Sequence, residues 1–81
     1  MTRPTVRVRM LVERATRAGH AVTVVWNLPV PPDELETVAR ELRRVCATGA
    51  VVRGDRIELR GDVTERVGRW LDGRGWSHHR E

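Results

Sequence analysis

Eighty-one residues and 9.3 kDa allow one hydrophobic core and one functional surface, and exclude a two-domain enzyme with a cleft between its domains. With 40% apolar and 32% charged residues the chain has the make-up of a folded soluble domain, and no apolar run approaches the ~18 residues that a membrane-spanning helix needs. All 15 basic residues are arginine, and the net charge of +4 lies wholly in residues 1–20, where Arg3, Arg7, Arg9, Arg14 and Arg17 face one acid, Glu13; such a one-sided excess reads as a surface turned toward phosphate.

The chain opens on Met1-Thr2-Arg3-Pro4, a basic start with no apolar stretch behind it. No secretory signal is therefore expected, and a cytoplasmic protein is. Residues 6–12 alternate, with Val6, Val8, Met10 and Val12 in one phase and Arg7, Arg9 and Leu11 in the other. That period predicts a strand with one buried face. Residues 21–28 predict a second strand, with Val22, Val24, Trp26 and Leu28 in one phase and Trp26 assigned to the core. The polar stretch between them is too short for a crossover helix. The pair therefore reads as a long hairpin whose tip presents Arg14, Arg17 and His20.

Pro29, Pro31 and Pro32 end the second strand, because proline donates no ladder hydrogen bond. Leu35, Val38, Ala39, Leu42, Val45 and Cys46 then form one helical stripe. Asp33, Glu34 and Glu36 sit at the positive end of that helix, and Arg43 and Arg44 at its negative end. Gly49 is the expected left-handed residue past its end. Residues 51–53 and 56–60 flank Gly54-Asp55, a two-residue hairpin turn. A second helix is predicted from Asp62 as N-cap, with Glu65 in capping-box position. Val63, Val67, Trp70 and Leu71 form its stripe, and Gly73 and Gly75 stop it. Residues 76–80 suffice for a short last strand. The order β-β-α-β-β-α-β predicts one α/β (α+β) domain over residues 1–81, a two-layer sandwich with both helices on one face of the sheet.

Several stretches also carry a family resemblance. They are Val6-Arg7-Val8-Arg9, Val22-Thr23-Val24-Val25, the helix from Leu35 to Cys46, Thr48-Gly49-Ala50-Val51-Val52, and Ile57-Glu58-Leu59-Arg60-Gly61-Asp62. In this order and spacing the chain resembles the SUI family, relatives of eukaryotic translation initiation factor one. It departs from the family pattern in a loop poorer in glycine and lysine, in Ala50 after Gly49, and in Arg60 before Gly61-Asp62. The resemblance implies a ferredoxin-like α-β plait with a five-stranded mixed sheet. It implies binding to the small ribosomal subunit and its rRNA near the decoding site, close to initiator tRNA or mRNA, and an influence on start-codon selection.

The candidate contacts follow. Arg14, Arg17 and His20 can reach phosphates and stack on exposed bases. The resemblance supports their loop as the ribosome contact. Arg7 and Arg9 either extend that basic stripe or keep a sheet face soluble. Arg40, Arg43 and Arg44 lie on the outer side of the first helix. They are either a second basic contact or the answer to Glu36 and the helix dipole. Cys46 belongs to the apolar stripe as a small hydrophobe. His78 and His79 point to opposite faces of a strand and make a poor chelate, so no metal or cofactor is expected. With Trp26, Trp70 and Trp76 as the only aromatics, a sheet that stacks bases is not expected either. Nor is an enzyme: an acylphosphatase-like hydrolase needs a phosphate-cradling loop after its first strand, and Asn27 and the arginines lack one. The remaining alternative is a ribosome- or RNA-binding stress or regulatory module with no role at the start codon. A monomer with no membrane partner is expected in either case.

Overall fold

The computed structural model describes residues 7–14 and 20–81; Val6, Arg3 and Arg17 lie outside them. The elements run β1 (Arg7–Arg14), β2 (Ala21–Trp26), a short 3-10 turn (Pro32–Glu34), α1 (Leu35–Cys46), β3 (Ala50–Arg53), β4 (Arg56–Arg60), α2 (Thr64–Gly73) and β5 (Ser77–Arg80). The five strands form one mixed sheet in the order β3-β4-β2-β1-β5. β1 runs parallel to β5, and the other neighbours are antiparallel. This is the expected α-β plait, with two helices against a five-stranded sheet.

The core lies between the layers. Val8, Met10, Val25, Ile57 and Leu59 from the sheet meet Leu35, Val38, Ala39, Leu42, Cys46, Val67 and Leu71 from the helices. β1 and β4 give alternate residues to this cluster, as a pleat requires. Trp70 and Trp76 pack at its edge with their rings edge to face, 5.7 Å between centroids. Val45 does not join it. At 45% exposure it is off the stripe in which the spacing placed it.

Trp26 also departs from expectation. Its cross-strand partner is Arg9, whereas Val25 faces Met10. Val25 and Thr23 therefore point at the helices, and Trp26 lies on the uncovered face. Polar Thr23 is fully buried because it has two partners. Its hydroxyl donates to the Gly61 carbonyl at 2.7 Å and accepts from the Val63 amide at 3.0 Å. The second strand stops at Trp26 rather than residue 28, since Asn27 turns into the left-handed region at φ 62°. Its side chain there donates to the Arg7 carbonyl at 2.8 Å.

The helix ends differ from the predicted ones. At the end of α1 the left-handed residue is Ala47, at φ 52° and ψ 42°, and not Gly49. The amides of Ala47 and Thr48 both donate to the Arg43 carbonyl, so the turn closes before Gly49 is reached. The N-cap of α2 is Val63 rather than Asp62. Asp62 still serves the helix start, because its carboxylate accepts from the hydroxyl of Thr64 at 2.9 Å and from its amide at 3.4 Å. Gly73 is helical, and the chain reverses at Gly75, at φ 74°. Gly61, at φ 88°, makes the bend that carries the chain from β4 toward α2.

Candidate nucleic-acid interface

Strand alternation decides which arginines share a surface. In β1, Val8 and Met10 are buried against the helices, so Arg7, Arg9, Leu11 and Glu13 point the other way. In β4, Ile57 and Leu59 are buried, which turns Arg56, Glu58 and Arg60 outward. Val51 and Arg53 of β3 follow, paired with Glu58 and Arg56. The face away from the helices thus carries Arg7, Arg9, Arg53, Arg56 and Arg60 against Glu13 and Glu58 among the described strand residues. Only Arg7 and Arg9 of this set were singled out in the sequence. The other three needed the β3–β4 hairpin to be paired with β2, which places Arg56 beside Trp26, Arg53 one strand farther out and Arg60 at the other end of β4, level with Val22.

The centre of this face is apolar. Leu11 and Val22 are half-buried, and Val24 is only 2% exposed although no helix covers it. The Arg56 guanidinium lies 5.2 Å from the centroid of the Trp26 ring, within cation–π reach. Arg9 bonds Glu81 at 2.7 Å and Arg53 bonds Glu58 at 3.0 Å. Both pairs are solvated, and exposed pairs of this kind are held weakly. A phosphate can therefore compete for these guanidiniums.

The other predicted residues go elsewhere. Arg14 is exposed at the end of β1 and in the opposite phase from Arg7 and Arg9. Its charge reaches Asp62, whose carboxyl is held below the usual aspartate range first by the Thr64 hydroxyl and amide, then by Arg80 and Arg14. His20 is exposed where the chain enters β2. It borders a shallow hollow with Val22, Gly49, Val51, Glu58 and Arg60. Arg60 is therefore the link between His20 and the sheet face. Arg17 is outside the described residues.

Arg40, Arg43 and Arg44 are exposed on α1, in the other layer. They do not join the sheet arginines. The helical layer has polar pairs of its own. Arg74 bonds both oxygens of Glu41 at 2.8 Å while stacked 4.7 Å over Trp70, Arg69 pairs with Glu65, and Arg66 donates to the Cys46 carbonyl. Cys46 is 4% exposed, and burial pushes its thiol up, against the opposing charge of Arg66. His78 points to α2, where it meets Asp72 at 2.9 Å and packs on Gly68, while His79 points to the open face. Among the described residues no three His, Cys, Asp or Glu side chains gather as metal ligands. No helix of the described residues is long and apolar enough to cross a membrane.

Comparison with known proteins agrees with the sequence resemblance. A family profile described as Translation initiation factor SUI1 matches residues 4–77. A protein translation factor SUI1 homolog of Thermococcus kodakarensis is 37% identical over 71 residues, 88% of this chain and 71% of that protein. One from Thermococcus gammatolerans is 35% identical over the same shares. One from Ignicoccus hospitalis is 38% identical over 58 residues, 72% of this chain; the match spans a little over half, 56%, of that relative.

Proposed function

The chain belongs to the SUI1 family of translation initiation factors, and from that premise we propose that it binds rRNA of the small ribosomal subunit near the decoding site and influences which codon starts translation. The family is one of translation factors and not of enzymes. The observation that carries the RNA reading is the open sheet face, with Arg7, Arg9, Arg53, Arg56 and Arg60 against Glu13, Glu58 and Glu81. Arginine suits this task because its planar fork grips phosphate with two hydrogen bonds and stacks on bases. Arg60 and His20 continue the surface to the β1–β2 loop, whose far side begins at Arg14. Folded rRNA offers that surface phosphates and unpaired bases together.

The test is sedimentation of the protein with purified small and large subunits, at rising salt. The expected result is selective binding to the small subunit. With about four phosphates neutralised at a slope of about −0.7 each, affinity drops roughly fifty-fold between 50 and 200 mM salt. Equal retention by both subunits, or binding indifferent to salt, rejects the reading. The start-codon part is tested by reporter translation from AUG and from near-cognate codons with and without the protein. An unchanged ratio rejects that part alone.

A further inference from the structure

The strand register places one residue from each of the five strands in a single row across the open face. Arg53 of β3 pairs with Arg56 of β4. One step past the Val25–Ile57 pair, Arg56 lies beside Trp26 of β2. Trp26 pairs with Arg9 of β1, and Arg9 with His79 of β5. The row crosses four strand spacings, about 19 Å. It consists of an indole with a guanidinium on each side and a further cationic or imidazole side chain at each end.

We propose that this row is a platform for a single-stranded segment of RNA, laid across the strands with one base stacked on Trp26 and its flanking phosphates on Arg9 and Arg53. The proposal rests on the RNA-binding reading above and names the surface and the conformation of its ligand. Three observations carry it. First, β1, β2 and β4 are interior strands, so Arg9 and Arg56 are not there to protect an edge from aggregation. Second, the only aromatic among the described residues of this face sits between two arginines, and Arg56 covers its ring without any ion pair to a described residue. A ring held under a guanidinium is a stacking slot: a base can take the place of Arg56, which then moves to a phosphate. Third, the floor beside the row is apolar, with Leu11 and Val24, which suits a base and a sugar better than a carboxylate chain.

The carboxylates facing the row agree with a displaceable arrangement. Glu81 bonds Arg9 at 2.7 Å and lies 3.3 Å from the His79 ring, and Glu58 bonds Arg53 at 3.0 Å. These acids hold the cations in place on the free protein. Arg53 remains 68% exposed and Arg9 48% exposed, so an entering phosphate meets both from solvent.

The experiment is fluorescence anisotropy of a labelled uridine decamer with the full chain, alongside small-subunit sedimentation and melting for every variant. Trp26→Leu keeps an apolar side chain at this position and removes the stacking ring. It is expected to weaken decamer binding roughly 5- to 150-fold, the value of one base–aromatic stack. Arg56→Glu is expected to weaken it and to flatten the salt slope by about 0.7. Arg40→Ala with Arg43→Ala and Arg44→Ala is expected to bind the decamer like wild type. Should Trp26→Leu melt early, ultraviolet crosslinking of a 5-bromouridine decamer to the unaltered chain replaces it, with the adduct expected at Trp26. Wild-type decamer binding in both sheet variants, or an adduct only at Trp70 or Trp76, overturns the platform. If subunit binding persists in that case, the ribosome reading survives without it. Decamer binding that needs Trp26 in a protein that ignores small subunits supports the platform and rejects the ribosome reading. A polyglutamate peptide that binds tighter than the decamer, and equally well to Trp26→Leu, makes the face an acidic-protein site and overturns the proposal.

Discussion

Ala47→Gly is expected to stabilise the protein. Ala47 ends α1 in the left-handed region, at φ 52° and ψ 42°, where its Cβ crowds the following carbonyl. The position is fixed from both sides. The amides of Ala47 and Thr48 are committed to the Arg43 carbonyl, and Arg66 donates to the Cys46 carbonyl at 3.4 Å. The residue cannot relax without releasing these bonds. A left-handed alanine costs about 1–2 kcal/mol relative to glycine. Glycine gives back about 0.4–1 kcal/mol through the freer unfolded chain. The net gain is about 0.5–1 kcal/mol, which for a domain of this size raises the melting temperature by roughly 2–8 °C. The control is Gly49→Ala. Gly49 is not left-handed, and a Cβ built on it meets nothing within 4 Å. That substitution is expected to leave melting unchanged or slightly raised. Thermal unfolding followed by circular dichroism measures both. A fall in melting temperature for Ala47→Gly together with a large fall for Gly49→Ala refutes the argument and returns the left-handed position to Gly49.

Thr23→Val removes the hydroxyl that joins β2 to the start of α2 and strands the Gly61 carbonyl and the Val63 amide in a buried site. A loss of about 2 kcal/mol, roughly 10 °C, is expected in the same melting assay. The Cys46 thiol should react with Ellman's reagent far more slowly in the native protein than in denaturant, since it is buried and its ionisation is pushed up. A raised folded pKa means that the unfolded chain ionises first. Stability from this group is therefore complete below about pH 8.5 and declines as pH rises beyond it. Urea unfolding at pH 7 and pH 9.5 on wild type and Cys46→Ala checks the sign, because the alanine variant should lack that part of the decline.

The helices were legible because their signal is redundant. In α1, Leu35, Val38, Ala39, Leu42 and Cys46 all recur at helical spacing and all are buried. In α2, Val67 and Leu71 do the same. The strands of the hairpin were legible as strands but not in phase. Ala21-Val22-Thr23-Val24-Val25-Trp26 is apolar in both alternations, so the sequence offers no inward side. The decision rests on Thr23, which must turn toward Gly61 and Val63 to satisfy two buried backbone groups. Trp26, three residues on, is then forced outward. A tryptophan on an open face runs against its preference for burial, and the Thr23 hydroxyl together with the buried Val25 fixes it there.

The basic surface was half legible for a related reason. Charge summed along the chain puts the whole excess in residues 1–20 and calls residues 21–81 neutral. That sum ignores layers. The acids of the later segment gather where helices begin: Asp33, Glu34 and Glu36 before and within the first turn of α1, and Asp62 and Glu65 at the start of α2. Helix dipoles draw them to those ends. Glu41 and Asp72 also lie on the helices and are taken by Arg74 and His78. Arg53, Arg56 and Arg60 belong to the same neutral segment, but the β3–β4 hairpin turns them to the opposite side of the sheet, where Glu58 pairs with Arg53 and Glu81 with Arg9. The plait thus separates charges that the sequence lists together. The separation adds three arginines to Arg7 and Arg9 on the face that no helix covers, and leaves Arg40, Arg43 and Arg44 on the helical layer, where most of the acids of residues 21–81 also lie.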